Sequence, residues 1–215
     1  MEKLARKLAS NISSSLGYDD EKEAVIAYGL IAIIQIFITV LLVLLFGILV
    51  GALAEALIVC FSVSILRKYS GGAHAGTIEL CTGFSLLYCT TAAVISKWLL
   101  AGIYNPIPMA IAIIIIFGIS FLVVNKFAPV DSPNKPIRTE KKKKRMRKGS
   151  FVILSVYLII SIAFFVLSFK YEVFKSYGIS LLFGISWQIF TLTYLGSLFI
   201  GKMNDFIIFK KEEHR

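Results

Sequence analysis

Formal charge is what long parts of this sequence do without. Across residues 24–66 the only charged side chain is Glu55, and at 1.5 Å per residue such a run is about twice the ~30 Å that one helix must cover to cross a bilayer. That scarcity excludes a soluble domain over most of the chain. Of its 215 residues 57% are hydrophobic, against about 45–50% in ordinary soluble domains. Cysteine is scarce too. Cys60, Cys81 and Cys89 are odd in number and form no C-x-x-C pair, which excludes a disulfide framework and a zinc site and leaves free thiols facing a reducing compartment. Residues 1–23 have neither the apolar core nor the small-residue cleavage site of a signal peptide. Acidic residues are few, 13 Asp and Glu against 23 Lys and Arg, for a formal charge of +10. Because the basic residues stand between apolar runs, that excess points to anionic lipid or an acidic peptide and not to nucleic acid.

What is present is a succession of membrane spans. Residues 24–66 divide into two that reverse near 47–51, where Gly47 and Gly51 can serve either a turn or the close packing of a G-x-x-x-G pair. Four more spans follow at about 84–103, 106–124, 151–169 and 177–200, with Asn105-Pro106-Ile107-Pro108 separating the second of these from the first. Leu4, Leu8, Ile12 and Leu16 recur at helical spacing, which predicts an amphipathic helix lying in the membrane interface within residues 1–23. The expected fold is therefore all-α: one integral-membrane domain over 1–215 with about six transmembrane helices, the N-terminal interfacial helix, and a basic polar linker at 125–150. With six spans, every Lys and Arg except Lys97, Lys170 and Lys175 falls on one side of the membrane. The positive-inside rule assigns that side, both termini and the linker to the cytoplasm. Glu55, about a turn from the reversal, is expected near the interface rather than at the bilayer centre.

Between the second and third spans runs Arg67-Lys68-Tyr69-Ser70-Gly71-Gly72-Ala73-His74-Ala75-Gly76-Thr77, with Cys81 four residues on. His74 is the one histidine away from the C-terminus, and it precedes Cys81 by seven residues. On an unbroken helix that spacing separates a base from its nucleophile by about 10 Å, beyond hydrogen-bond reach. Gly71, Gly72 and Gly76 argue for a break, so that a loop bearing His74 folds back over a helix opening near Thr77 with Cys81 in its first turns. The free N–H groups of a helix start stabilise negative charge and can form an oxyanion hole. The plainer alternative makes Cys81 a small apolar residue, as expected of Cys60 and Cys89, and His74 an interfacial side chain bonded to a carbonyl. His214 has nothing to hold it in place as a base. No third catalytic residue stands out: Glu79 reads as a first-turn helix partner, Asp131 and Asn134 as turn formers, Gln188 as an interhelical hydrogen-bonder. The run Lys141-Lys142-Lys143-Lys144-Arg145 serves topology and lipid contact, recognition of an acidic peptide, or both.

Arg67, Gly72, the His74-Ala75 pair and Cys81, together with Ala128-Pro129-Val130-Asp131, Asn134-Lys135-Pro136-Ile137 and the basic run after them, resemble the AgrB family. These are membrane endopeptidases that process autoinducing-peptide precursors in Gram-positive quorum sensing. The resemblance covers nearly the whole chain. It implies a cysteine endopeptidase in the bacterial cell membrane, without cofactor or metal, with His74 as general base and Cys81 as nucleophile. Its partner would be an AgrD-type precursor peptide with an acidic tail, met by Arg67, Gly72 and the basic residues 141–145, and the enzyme would be a homodimer embedded in lipid. Cleavage at the C-terminal side of the future ring would leave an acyl-thioester on Cys81. The precursor's own cysteine or serine would then capture it as a thiolactone or lactone. No Walker-type glycine loop occurs, consistent with thiol-for-thiol exchange that needs no ATP. The competing class is a small peptide transporter or exporter without covalent chemistry. It accounts for the spans, Glu55 and the glycine breaks but gives His74 and Cys81 no joint role.

Overall fold

The computed structural model describes residues 2–73, 77–130 and 139–213, and every regular element among them is helical. The helices are α1 (Glu2–Leu16), α2 (Asp20–Leu49), α3 (Leu53–Ser70), α4 (Ile78–Val94) with a π-helical extension Ile95–Leu100, α5 (Pro106–Phe127), α6 (Glu140–Leu167), α7 (Val173–Leu192) and α8 (Tyr194–Glu213). They fall into two compact units, Met1–Leu42 and Val43–Arg215.

In the first unit, α1 forms where the periodicity predicts it. Leu4, Leu8, Ile12 and Leu16 stay exposed while Ala5, Ala9 and Ser13 are buried. That exposed leucine stripe beside a small-residue face suits a helix lying on an apolar surface. Asp19 starts α2 by accepting a hydrogen bond from Lys22 N at 2.9 Å, which satisfies one of the N–H groups a helix start leaves open.

In the second unit, α3 packs against α4, α6 and α7, and α5 packs against α6 and α7. The core is apolar, built on Leu66, Phe117, Leu154, Leu181, Ile185 and Ile189. Both readings of the glycine pair at 47–51 hold. Gly51, with φ 65°, makes the turn. Gly47 lies so close to α3 that a Cβ there would stand 3.0 Å from the Leu53 Cα.

Among the described residues, four stretches are long and apolar enough to cross a membrane: Asp20–Leu49, Glu79–Leu100, Pro106–Phe127 and Glu140–Leu167. The pair α7 and α8 makes a fifth if its 86° bend is counted within one span. The expected span at the start of this unit, α3, is not among them. Its 18 residues carry Glu55 in the first turn and Arg67 and Lys68 in the last. A helix enclosed by α4, α6 and α7 meets protein as well as lipid, so it tolerates this polarity. Two further boundaries differ from expectation. The basic run is not loop but the opening of α6, because Thr139 caps that helix, its Oγ1 accepting from Lys142 N, and Lys is a good helix former. The last span is broken at Thr193, which is extended at φ −82° and ψ 160°.

Glu55, about a turn from the reversal at Gly51, is buried within the protein. It is 2% exposed, accepts a hydrogen bond from Ser176 Oγ at 2.8 Å, and lies 4.0 Å from Lys97 Nζ. Lys97 Nζ also donates to the Gly51 carbonyl at 2.5 Å. A carboxylate can stay inside a helix bundle only with such partners. Twelve residues of α3 separate it from Arg67, about 18 Å along the axis, so Glu55 does not belong to the site at the other end of the helix.

Candidate active site

Helix α3 ends because Gly71 and Gly72 take positive φ, 70° and 135°, a region open to glycine and strained for residues with a Cβ. Space enforces the same choice. A Cβ on Gly71 would run into the Val130 carbonyl oxygen, and one on Gly72 would lie 2.8 Å from Thr191 Oγ1.

This turn is held from three directions. From α7, Gln188 Nε2 donates to the Gly71 carbonyl at 2.7 Å and to Ser70 Oγ at 3.0 Å, and the Thr191 carbonyl accepts from Ala73 N at 3.0 Å. From the segment after α5, Val130 N donates to the Ser70 carbonyl at 2.9 Å. That segment is itself held by α6, whose Arg147 Nε donates to the Ala128 carbonyl at 2.8 Å. From α3, the Arg67 guanidinium donates to the Ala73 carbonyl. Gln188 is fully buried and, as expected of it, makes an interhelical bond. The sequence alone missed Thr191 and Arg147 as holders of the turn. Both contacts run through backbone groups remote in sequence, so no local pattern signals them.

His74 lies outside the described residues, as do Asp131 and Asn134. The chain is described again at Thr77, which caps α4: its Oγ1 accepts from Leu80 N at 3.3 Å and its carbonyl accepts from Cys81 N at 3.0 Å. Cys81 thus sits in the first turn of α4, as the glycine break predicts, with Glu79 beside it as the first-turn acid. The cap has a second consequence. The N–H groups of Leu80 and of Cys81 itself are spent on Thr77, which leaves the oxyanion role to other N–H groups of this helix start.

Cys81 is a free, half-buried thiol, whereas Cys60 and Cys89 are buried in packed helices. It opens onto a cleft of about 410 Å³, open solvent included, whose polar wall is Arg67 with Ala73 and whose apolar wall includes Trp187 of α7 and Phe199 and Met203 of α8. Trp187 is set by stacking on Tyr88 of α4, ring centroids 4.4 Å apart, and the Tyr88 hydroxyl donates to the Phe183 carbonyl at 2.8 Å. Helix α8 reaches the cleft only because of the break at Thr193, whose Oγ1 accepts from Gly196 N at 3.2 Å. Thr193 followed by Gly196 was the available signal for that break, since Thr favours a helix start.

The structure therefore brings Arg67 and Cys81 to one cleft, with Gly72 in the turn beside it. Lys141, Lys142, Lys143, Lys144 and Arg145 do not line it. They form the opening turns of α6, and Lys143 Nζ pairs with Glu140 at 3.1 Å. The same helix passes the end of α3, where a Cβ on Gly149 would overlap the Tyr69 ring. The basic residues lie four to eight positions before that crossing, about 6–12 Å along the helix.

No solved structure matches the chain at a significant level. Sequence comparison finds relatives over its full length. It is 40% identical over 210 residues to an AgrB-like protein of Clostridium perfringens (strain SM101 / Type A), covering 96% of this chain and 97% of that one. It is 39% identical over 210 residues to AgrB-like protein 2 of Clostridium perfringens (strain 13 / Type A), with the same coverage. An AgrB-like protein of Halalkalibacterium halodurans is 26% identical over 166 residues, 75% of this chain and 77% of its own. Residues 2–192 match the family model described as Accessory gene regulator B, and with that match, and relatives aligned along almost their whole length, the chain belongs to the AgrB family.

Proposed function

We propose that this chain is a membrane cysteine endopeptidase that cleaves an AgrD-type precursor and hands the acyl group to a nucleophile within the same peptide. The observation that carries the proposal is Cys81 in the first turn of a capped helix, lining a cleft with Arg67 and with Ala73, the residue directly before His74. A thiol at the wall of a half-open cleft can meet a carbonyl, which the buried Cys60 and Cys89 cannot.

In this scheme His74 takes the proton from Cys81, and the thiolate sulfur attacks the carbonyl carbon of the scissile bond. A C–S bond forms as the carbonyl π pair moves onto oxygen. The tetrahedral species then collapses, the C–N bond breaks, and the leaving amine takes the proton from His74. The acyl-thioester on Cys81 keeps its transfer potential. When the precursor's own thiol attacks it, one C–S bond replaces another, and the internal nucleophile outruns water through its high effective concentration.

Charge supports a place for the rest of the precursor. Helix α6 crosses the end of α3 at Gly149, within a few turns of Lys141–Arg145, so an acidic tail bound to those residues would hold the peptide at the cytoplasmic membrane face. Counted with six crossings, the same charge distribution supports both termini on that side and contact with anionic lipid. A homodimer follows from family likeness alone.

The test is direct. The purified full chain is incubated in vesicles with a synthetic AgrD-type precursor, and an acyl adduct on Cys81 is sought by mass spectrometry. Adduct formation that disappears in Cys81→Ala and in His74→Ala is expected. Precursor processing that persists in Cys81→Ala would sink the proposal and leave peptide export without covalent chemistry as the better account.

A further inference from the structure

Most of the wall around Cys81 is apolar. Trp187, Phe199, Ile200 and Met203 line the cleft with Phe84 of α4, and among the described residues Arg67 is its only charged neighbour. A groove that merely faced lipid would not hold a guanidinium, which is costly in hydrocarbon. The wall is also fixed in place by its own contacts. Trp187 stacks on Tyr88 with ring centroids 4.4 Å apart and meets Phe190 at 5.9 Å, and Phe190 meets Phe199 edge-on at 6.0 Å. This chain of rings joins α4, α7 and α8. Gly196 permits it, because a Cβ there would run into the Phe190 carbonyl oxygen. Phe199 is held in this way yet remains 45% exposed, so the protein does not cover the ring itself.

In an acyl transfer the sulfur bonds the carbonyl carbon, and the side chain on the adjoining α-carbon is the substrate side chain held nearest to it. That side chain stays through the tetrahedral species and the thioester, whereas the leaving peptide departs with its amine. An apolar wall beside the sulfur suits a bulky apolar side chain there, since both surfaces leave water together. Such a side chain would also cover the thioester and keep water out until the internal nucleophile attacks. A polar side chain would lose hydration against Trp187 and Met203. Its one charged neighbour, Arg67, already holds the Ala73 carbonyl.

We infer that Trp187, Phe199 and Met203 form the subsite for the residue that supplies the scissile carbonyl, and that this residue carries a bulky apolar side chain. This rests on the acyl-transfer reading above and adds to it the chemistry of the substrate at the bond that is cut. Phe199 and Met203 stand four positions apart, on one face of α8, and Trp187 supplies the wall from α7. All three determine specificity and move no proton.

The experiment uses the full chain in detergent and three aldehydes: acetyl-leucyl-phenylalaninal, acetyl-leucyl-argininal and acetyl-leucyl-glycinal. The thiol sulfur adds to each carbonyl carbon, its proton passes to the oxygen, and the hemithioacetal protects Cys81 from iodoacetamide. Half-protection by the phenylalanine aldehyde is expected at a concentration about tenfold or more below that of the other two, the lower end of what one methylene contributes in an apolar pocket. Phe199→Ala is expected to narrow that gap. Met203→Glu is expected to shift preference towards the arginine aldehyde by about tenfold, while iodoacetamide alone alkylates Cys81 within about threefold of wild type. Each preference compares probes on the same protein, so a partial loss of folded protein cancels. Equal protection by the three aldehydes, a wild-type preference for either of the other two, or preferences unchanged in both variants would overturn the subsite. Protection by none of them would sink acyl transfer instead, and the subsite is then read without a carbonyl. N-benzyliodoacetamide is expected to alkylate wild-type Cys81 faster than iodoacetamide and to lose that lead in Phe199→Ala. A lead that is absent, or that survives the substitution, would overturn the subsite there too.

Discussion

Gln188 Nε2 lies 2.7 Å from the Gly71 carbonyl oxygen, joining residues 117 positions apart in the chain. A fully buried amide of α7 thereby holds the turn that ends α3, and through Ala73 that turn leads directly into the segment with His74. Breaking this tether tests whether the turn's position matters to the chemistry. In Gln188→Leu the Gly71 carbonyl and Ser70 Oγ lose a donor inside the protein, and an unsatisfied buried group costs roughly 1–3 kcal/mol. We expect a lower Tm in detergent and a larger fall in kcat than in KM for precursor cleavage. Unchanged kcat in a destabilised variant would show that the tether only holds the fold.

Gly72 offers a second, purely steric test. Gly72→Ala places a Cβ at φ 135° and 2.8 Å from Thr191 Oγ1, so backbone strain and overlap act together, at about 1–3 kcal/mol. Loss of most processing with membrane insertion intact is expected. Pairing it with Thr191→Ser, which keeps the Oγ, is expected to restore little, because the strain lies in the backbone. Full activity of Gly72→Ala would remove the turn from the site.

The three thiols should separate by access. Cys81 is half-buried, while Cys60 and Cys89 are 4% and 3% exposed. Iodoacetamide in detergent is expected to label Cys81 first by at least tenfold, since alkylation needs an accessible thiolate. Cys60→Ala and Cys89→Ala are expected to keep processing, each with a modest drop in stability from a smaller core side chain, about 1 kcal/mol. Preferential labelling of Cys60 or Cys89 would contradict the packing of α3 on α4.

Glu55 sits at the opposite end of α3, paired with Ser176 and Lys97. Removing its charge in Glu55→Gln is expected to lower the Tm while leaving the rate of Cys81 alkylation unchanged at a temperature where the variant is folded. The penalty is expected at roughly 1–2 kcal/mol, less than for a fully buried pair because Lys97 is partly exposed. Alkylation that changes with Glu55→Gln would couple the two ends of α3.

The basic opening of α6 predicts a salt effect. Neutralising Lys141, Lys142, Lys143 and Lys144 together to Gln is expected to weaken binding of an acidic-tailed precursor about tenfold at low salt and hardly at all near 1 M, where charge is screened over ~3 Å. Equal affinity at low salt, with topology intact, would confine these residues to lipid contact and orientation.

Several of these features are legible in the sequence because they depend on neighbours along the chain. Leu4, Leu8, Ile12 and Leu16 mark α1 by their spacing. Gly71 and Gly72 end α3 because their backbone freedom is intrinsic. Thr77 starts α4 by capping its own next residues, and that is what sets Cys81 in a first turn. The apolar runs reveal the membrane helices for the same reason, since lipid exposure selects side chains one by one. Where an expectation failed, a distant partner had changed the balance. Helix α3, expected as a span, is too polar to count as one by composition, with Glu55, Arg67 and Lys68 at its ends, and α4, α6 and α7 pack around it. The basic run, expected within a polar linker, opens α6 because Thr139 caps that helix.

The sequence by itself determined that this is an all-helical membrane protein of the AgrB kind, with a thiol at the head of a helix beyond a glycine break, because caps, periodicities and glycine turns act within a few residues. Only the tertiary structure decided that Gln188 and Thr191 hold the break, that α8 turns back at Thr193 to wall the cleft, and that Arg67 and Cys81 line it together. Those outcomes depend on which backbone groups and side chains meet across more than a hundred residues, and packing of the whole second unit, not local preference, sets those meetings.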